Sequence, residues 1–289
     1  MNEKIIEFSK GAKNIFFENA EMEKIATGYI FTEGAAWSKK ENALYFTDFP
    51  ENKIYKWKEN EDVICFSENS NRAIGLFIDK NENIFSAESS KHRIAIVNEN
   101  GSEPIATEFQ GKRFNSPNDI TVSRLGETKE IFFTDPFSDA LGLPSEIGFN
   151  GVYRKKEGKE VQLVSKKLGR PNGIALSSDE KFLYVNDTDL QQIFVTEVDG
   201  NEDLEVFATL DTSHGEGAPD GMKVDCAGNV WVTGPSGIWV ISPDGNPIAI
   251  LKCPEYVGNF CFGGEDLKTL FITASTSVYR IKIRIAGSY

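Results

Sequence analysis

The stretch "RPNGIALSSDEKFLYVND", residues 170–187, holds two strand-like runs separated by a turn-forming Ser-Ser-Asp-Glu. Both runs are rich in apolar, β-branched and aromatic residues, and Gly, Pro, Asn and Asp punctuate them. A third run, "QIFVTEV" (192–198), and a fourth, "EVFATL" (205–210), follow after further turn signals.

The run "LYVND" (183–187) recurs as "LYFTD" (44–48), "IFSAE" (84–88), "IFFTD" (131–135), "VWVTG" (230–234) and "LFITA" (270–274). The spacing is roughly 40 to 50 residues. Each copy follows a shorter alternating segment and precedes another run, such as "KIYKW", "RIAIV", "GVYR", "GIWVI" or "SVYRIKI". No segment shows a long helical period. Four antiparallel strands at this repeat length describe a β-propeller, whose radial stacking covers the strand edges. The expected fold is therefore all-β, a six-bladed β-propeller of four-stranded antiparallel blades. The last repeat reaches the C-terminus after three strands, so the N-terminal "MEKIATGY" (22–29) is expected to join the C-terminal blade and close the ring. Residues 1–289 then read as a single propeller domain.

Composition narrows the chemistry. A hydrophobic content of 40% suffices for a packed core, and no run approaches the roughly 18 apolar residues of a membrane span. With no apolar leader in the first twenty residues, a cytoplasmic location is expected, without a membrane partner. A net charge of −13 would repel a phosphate backbone, so nucleic acid is not an expected partner. The four cysteines, Cys65, Cys226, Cys253 and Cys261, lack CxxC spacing and read as reduced core residues. With only His92 and His214 present and no GxSxG, there is little room for a Ser-His-Asp triad. Catalysis would rest on carboxylates, amides, or a metal they hold.

The residue two places before the first apolar position of each innermost strand is here called the lead residue. The six are Glu33, Ile74, Asn118, Asn172, Asp220 and Gly258. The innermost strands of a propeller line its channel, so Glu33, Asn118, Asn172 and Asp220 should converge at one mouth. Two carboxylates at close range repel, and a divalent cation resolves the repulsion. An all-oxygen set suits calcium, magnesium or manganese and leaves positions for water and a substrate oxygen. A tight turn is the competing explanation; it accounts for Gly34, Gly173 and Gly221 but not for Glu33. In blade 3 the long connection "PFSDALGLPSEIGFN" (136–150) is expected to overhang this mouth as a lid or specificity wall.

The segments "EGAAW", "GKRFNSPNDITV", "IFFTDP", "RPNGIALSSDEKFLYVND" and "PDGMKVDCAGNVWVTGPSGIWVISPDG", in this order, resemble the senescence marker protein, gluconolactonase and luciferin-regenerating enzyme family of six-bladed propellers. The resemblance covers nearly the whole chain, and its "NSPND" and "FTDP" forms look closer to bacterial gluconolactonases than to the animal calcium-linked members. It implies hydrolysis of a small-molecule lactone with one divalent metal ion held by Glu33, Asn172 and Asp220, with Asn118 beside metal or substrate. Calcium is the first expectation for that ion, with magnesium, manganese, zinc and ferrous iron as alternatives. Asp220 matches the family's catalytic acid or base. Ser116 stands where animal members carry an arginine; Arg113, further upstream, is the substitute candidate for a substrate contact.

The expected mechanism is water attack on a metal-polarised lactone carbonyl, with Asp220 taking a proton from the water and returning it to the leaving alkoxide. The same four oxygens would also serve an organophosphate triester hydrolase, or a non-catalytic calcium-binding propeller. "DKNEN" (79–83) imitates the start of an EF-hand loop but has Ile84 where that loop needs Gly, and reads as a hairpin turn. His214 reads as a loop residue.

Overall fold

A computed structural model describes residues 4–126, 128–137, 144–200 and 204–288. Six antiparallel sheets correspond one to one with the six repeats. Blade 1 runs outward through Thr32–Ser38, Ala43–Asp48, Lys53–Lys58 and Ile64–Ser67. Blade 6 contains Val257–Gly263, Thr269–Ala274 and Ser277–Lys282, and its outer strand is Glu23–Thr27 from the other end of the chain. Lys24 pairs with Tyr279 and Thr27 with Ser277, so the ring closes as the repeat count requires.

Burial explains why the repeats are so legible. Every residue of Thr32–Ser38 and of Ala43–Asp48 is buried, whereas the third strand of blade 1 is mostly half-buried and the fourth runs from exposed Ile64 to buried Ser67. Inner strands are covered on both faces by neighbouring blades, so they read as continuous apolar runs, and only the outer strands keep a solvent face. Aromatic pairs span the blade interfaces: Trp37 stacks on Phe271 at 4.8 Å, and Trp231 meets Phe262 edge-on at 5.3 Å.

Two features were not expected. Ile5–Glu7 adds a fifth strand to blade 5, with Ile5 opposite Leu251, and covers that blade's outer edge. The cysteines are all free, but only Cys261 is buried; Cys65 and Cys253 are half-buried and Cys226 is exposed. The assignment of all four to the core is thus corrected: an apolar run identifies a strand but not how far from the axis each residue sits. "DKNEN" is a turn, in which the Asp79 carboxylate accepts the N–H groups of Asn81 and Asn83, both at 2.9 Å.

Candidate active site at the channel mouth

The Thr-Asp or Asn-Asp pair that ends the second strand of blades 1, 3 and 4 builds this mouth. Asp48 accepts Ile30 N at 2.9 Å and Phe31 N at 3.1 Å. Asp135 accepts Asn115 N at 2.8 Å and Ser116 N at 2.7 Å, and Asp187 accepts Gly169 N at 2.7 Å and Arg170 N at 3.3 Å. In each case the clamped N–H groups lie three and two residues before a lead residue: Glu33, Asn118 or Asn172. A charge-assisted bond pair fixes the loop that presents each of these side chains.

The neighbouring residue ties one blade to the next. Thr47 Oγ1 donates to Ile74 O at 3.0 Å, and Gly75 N to Asn118 O at 2.8 Å. Thr134 Oγ1 donates to Asn172 O and Asn186 Nδ2 to Asp220 O, both at 2.6 Å, and Gly221 N to Gly258 O at 2.8 Å. The circuit closes at Gly258, where an added Cβ would lie 2.5 Å from Glu33 Oε1. All six lead residues therefore form one ring. In four blades the strand register shifts at this point, between Glu33 and Ala36, Ala73 and Leu76, Pro171 and Ile174, and Val257 and Asn259. Such bulges re-aim a side chain, and Gly34, at φ +55°, takes the left-handed conformation the first one needs.

The electrostatics at the ring are those of an unneutralised pair. Glu33 is 3% exposed, and its carboxyl is pushed up to about 7, chiefly by burial and also by the Asp119 carboxylate. Asp220 keeps some surface open at the mouth. Its carboxyl is still raised well above the ordinary value, first by desolvation and then by Glu33 and Asp119, while a hydrogen bond from Asn172 pulls the other way. Asn118 Oδ1 and Asn172 Oδ1 are buried and accept no hydrogen bond. Buried polar atoms rarely lack partners, so two orphaned amide oxygens beside two mutually repelling carboxylates fit a hard cation. Among the described residues no three His, Cys, Asp or Glu side chains gather as a metal site, so a cation here must take amide oxygens too.

Two other expected features fall differently. Arg113 lies in a short outer hairpin, where its guanidinium pairs with Glu146 at 3.3 Å. Of the connection at 136–150, residues 138–143 lie outside the described residues. Its return arm is fastened down: Ser145 Oγ donates to Asn115 Oδ1 at 2.5 Å, and Asn115 Nδ2 donates to Phe149 O at 2.8 Å.

Residues 31–276 match the model of the family described as SMP-30/gluconolactonase/LRE-like region. The chain belongs to this family. Within its wider membership, a gluconolactonase of Zymomonas mobilis is 33% identical, covering 98% of this chain and 87% of its own. A solved gluconolactonase of Xanthomonas campestris superposes with a TM-score of 0.86 at 25% identity, over 96% of this chain and 94% of that one. A pentonolactonase of Haloferax volcanii is 23% identical over 84% of this chain and 81% of its own.

Several residues around this family's ring were missed in the sequence. Arg170 and Tyr256 are both coupled to the site: Arg170 lowers the Asp220 carboxyl, and the Tyr256 hydroxyl is raised by burial first and then by Asp220 and Glu33. Arg170 could have been found, because it stands two places before a lead residue on the clamped loop. Tyr256 holds the same place before Gly258, one of the two lead positions without an oxygen donor. His214 packs on Phe8 at 5.2 Å and Trp239 at 5.5 Å, as a loop residue would.

Proposed function

We propose that the chain is a metal-dependent hydrolase that opens sugar lactones, aldonolactones first among them, at the mouth of its channel. One observation carries the reading: two carboxylates raised by burial and proximity stand in one ring with two amide oxygens that accept nothing. A divalent cation held by Glu33, Asn118, Asn172 and Asp220 would satisfy all four. The donor set suits calcium best, with magnesium, manganese, zinc or ferrous iron as substitutes. When bound, such an ion supplies Lewis-acid polarisation of a carbonyl and offsets charge on its oxygen.

Asp220 is the proton carrier. Its backbone is pinned on both sides, by Thr233 Oγ1 accepting its N–H at 2.7 Å and by Asn186 donating to its carbonyl, which fixes the segment that presents its carboxyl. It takes a proton from the attacking water and returns it to the ring oxygen as the ester bond opens. Glu33 and Asn172 hold the ion, and Asn118 completes its shell or meets substrate. Arg170 and Tyr256 flank the mouth and suit the sugar hydroxyls. A substrate contact by Arg113 would require its pair with Glu146 to open. The names of the Zymomonas and Xanthomonas relatives support the substrate class. Four unpaired cysteines agree with a cytoplasmic setting, and no helix among the described residues is long and apolar enough to cross a membrane.

The test is a lactone panel on metal-stripped protein, with each divalent ion added back. Hydrolysis of an aldonolactone restored by calcium is expected. Faster turnover of a fluorophosphate triester would move the assignment to that substrate, and tight calcium binding without turnover of either would make the propeller a binding module.

A further inference from the structure

Below the ring, the channel holds polar groups that the proposed chemistry does not use. Lys223 lies on the innermost strand Met222–Val224, and its ammonium donates to Met222 O at 3.0 Å and to Asn259 Oδ1 at 3.2 Å. Asn259 is 3% exposed; its oxygen also accepts Phe260 N at 2.9 Å, and its amide hydrogen-bonds the Glu33 carboxylate. A chain of contacts thus runs from Lys223 through Asn259 to Glu33. Asp119 also faces the channel at 2% exposure, with one oxygen accepting Ile120 N at 2.9 Å and the other buried without a partner. The stem of Lys223 lines a cavity with Ile120, Ile174 and Val224.

We propose that Lys223 is a positioning residue and built-in counter-cation, which orients Glu33 through Asn259 and sets the net charge of the site so that it selects a divalent ion. The inference rests on the metal reading above. With the carboxylates ionised around a bound ion, Glu33, Asp119 and Asp220 contribute three negative charges and Lys223 one positive; Arg170, 58% exposed and paired with Asp189 at 3.7 Å, is screened by solvent, so the buried sum is a deficit of two. A divalent cation brings that sum to zero, a monovalent one leaves the channel anionic, and a trivalent one overcharges it. Uncompensated charge in a buried site is costly, so the lysine discriminates by valence without touching the ion.

The experiment compares calcium and terbium affinities by titration calorimetry on the metal-stripped full chain. The same ratio of terbium to calcium affinity is expected for the unmodified protein and for Lys223→Arg. Lys223→Met should shift the ratio toward terbium about tenfold, equal to ~1.4 kcal/mol. Lys223→Gln, which keeps a donor toward Asn259 but no charge, should do the same and serves if the methionine variant folds poorly. Adding Asp119→Asn to Lys223→Met restores the net charge and should return the ratio to its original value. A lysine needed only for folding would weaken both ions alike and leave the ratio unmoved, which would overturn the proposal. If the unmodified protein binds neither ion, the metal reading itself fails, and this inference with it.

Discussion

The acidic residues of this propeller fall into two sets with opposite surroundings. Asp48, Asp135 and Asp187 end second strands, and each accepts two backbone N–H groups from the loop ahead of a lead residue. Glu33 and Asp220 are lead residues themselves; each raises or is raised by another carboxylate, and amide oxygens without partners stand in the same ring. Burial is common to both sets, since Asp135 is also lifted to about 7 by desolvation. What separates them is the accounting of partners. A buried carboxylate with filled acceptor positions holds the backbone, whereas one facing its own kind carries a repulsion that the proposed cation would relieve.

The contrast is broken most directly at Asp220. Asp220→Asn is expected to lower kcat on an aldonolactone by at least ~10³-fold, because it removes the proposed proton carrier and the proposed ligand together. Its metal-free unfolding midpoint should hold or rise, since a like-charge repulsion is relieved. Next in size, calcium at about a hundred times its Kd should stabilise the protein by ~2.7 kcal/mol. That gain should vanish in Glu33→Gln and persist in Asp187→Asn, and denaturant titration reads both. Asp187→Asn itself should cost about 2 kcal/mol through its lost charge-assisted bonds, seen as a midpoint roughly 4 °C lower. If Asp187→Asn abolished the calcium effect as well, the division between clamp and ligand would be wrong.

The blades were legible because their inner strands are covered on both faces, which turns "LYFTD" and its copies into continuous apolar runs. The closing strand was legible because "SVYRIKI" had no partner after it. Ile5–Glu7 was not, because a three-residue strand carries no period and its partner edge at Ala249–Leu251 lies at the far end of the sequence. At the site, aligning one position across six repeats was enough to single out Glu33, Asn118, Asn172 and Asp220 as candidates. The same alignment passed over the Thr-Asp and Asn-Asp clamps, which looked like strand endings, and over Asp119 and Lys223. Those two face the channel one and three places after a lead residue, and only the closure of the ring shows that they share a chamber with Glu33.

The smallest expected effect tests the two sets together, through pH. Glu33 and Asp135 rise to about 7 in the folded chain from ordinary values of 4.5 and 3.8, and Asp220 rises as well. The folded state therefore binds protons that the unfolded chain has already released between about pH 5 and pH 7, and metal-free stability must fall as pH rises through that window. Each group contributes at most about 1.4 kcal/mol per pH unit. Saturating calcium should remove the share due to Glu33 and Asp220, because a carboxylate that ligates the ion cannot also hold a proton, and the advantage of the calcium-bound form over the metal-free one should grow with pH. The share due to Asp135 should survive calcium and disappear in Asp135→Asn, leaving only the part contributed by Asp119, which burial also raises. Chemical denaturation at pH 5, 6 and 7, with calcium and with chelator, separates the two. A slope that calcium leaves untouched would mean that the mouth carboxylates are not its ligands, and a slope that calcium abolishes completely would mean that the Asp135 clamp never holds a proton.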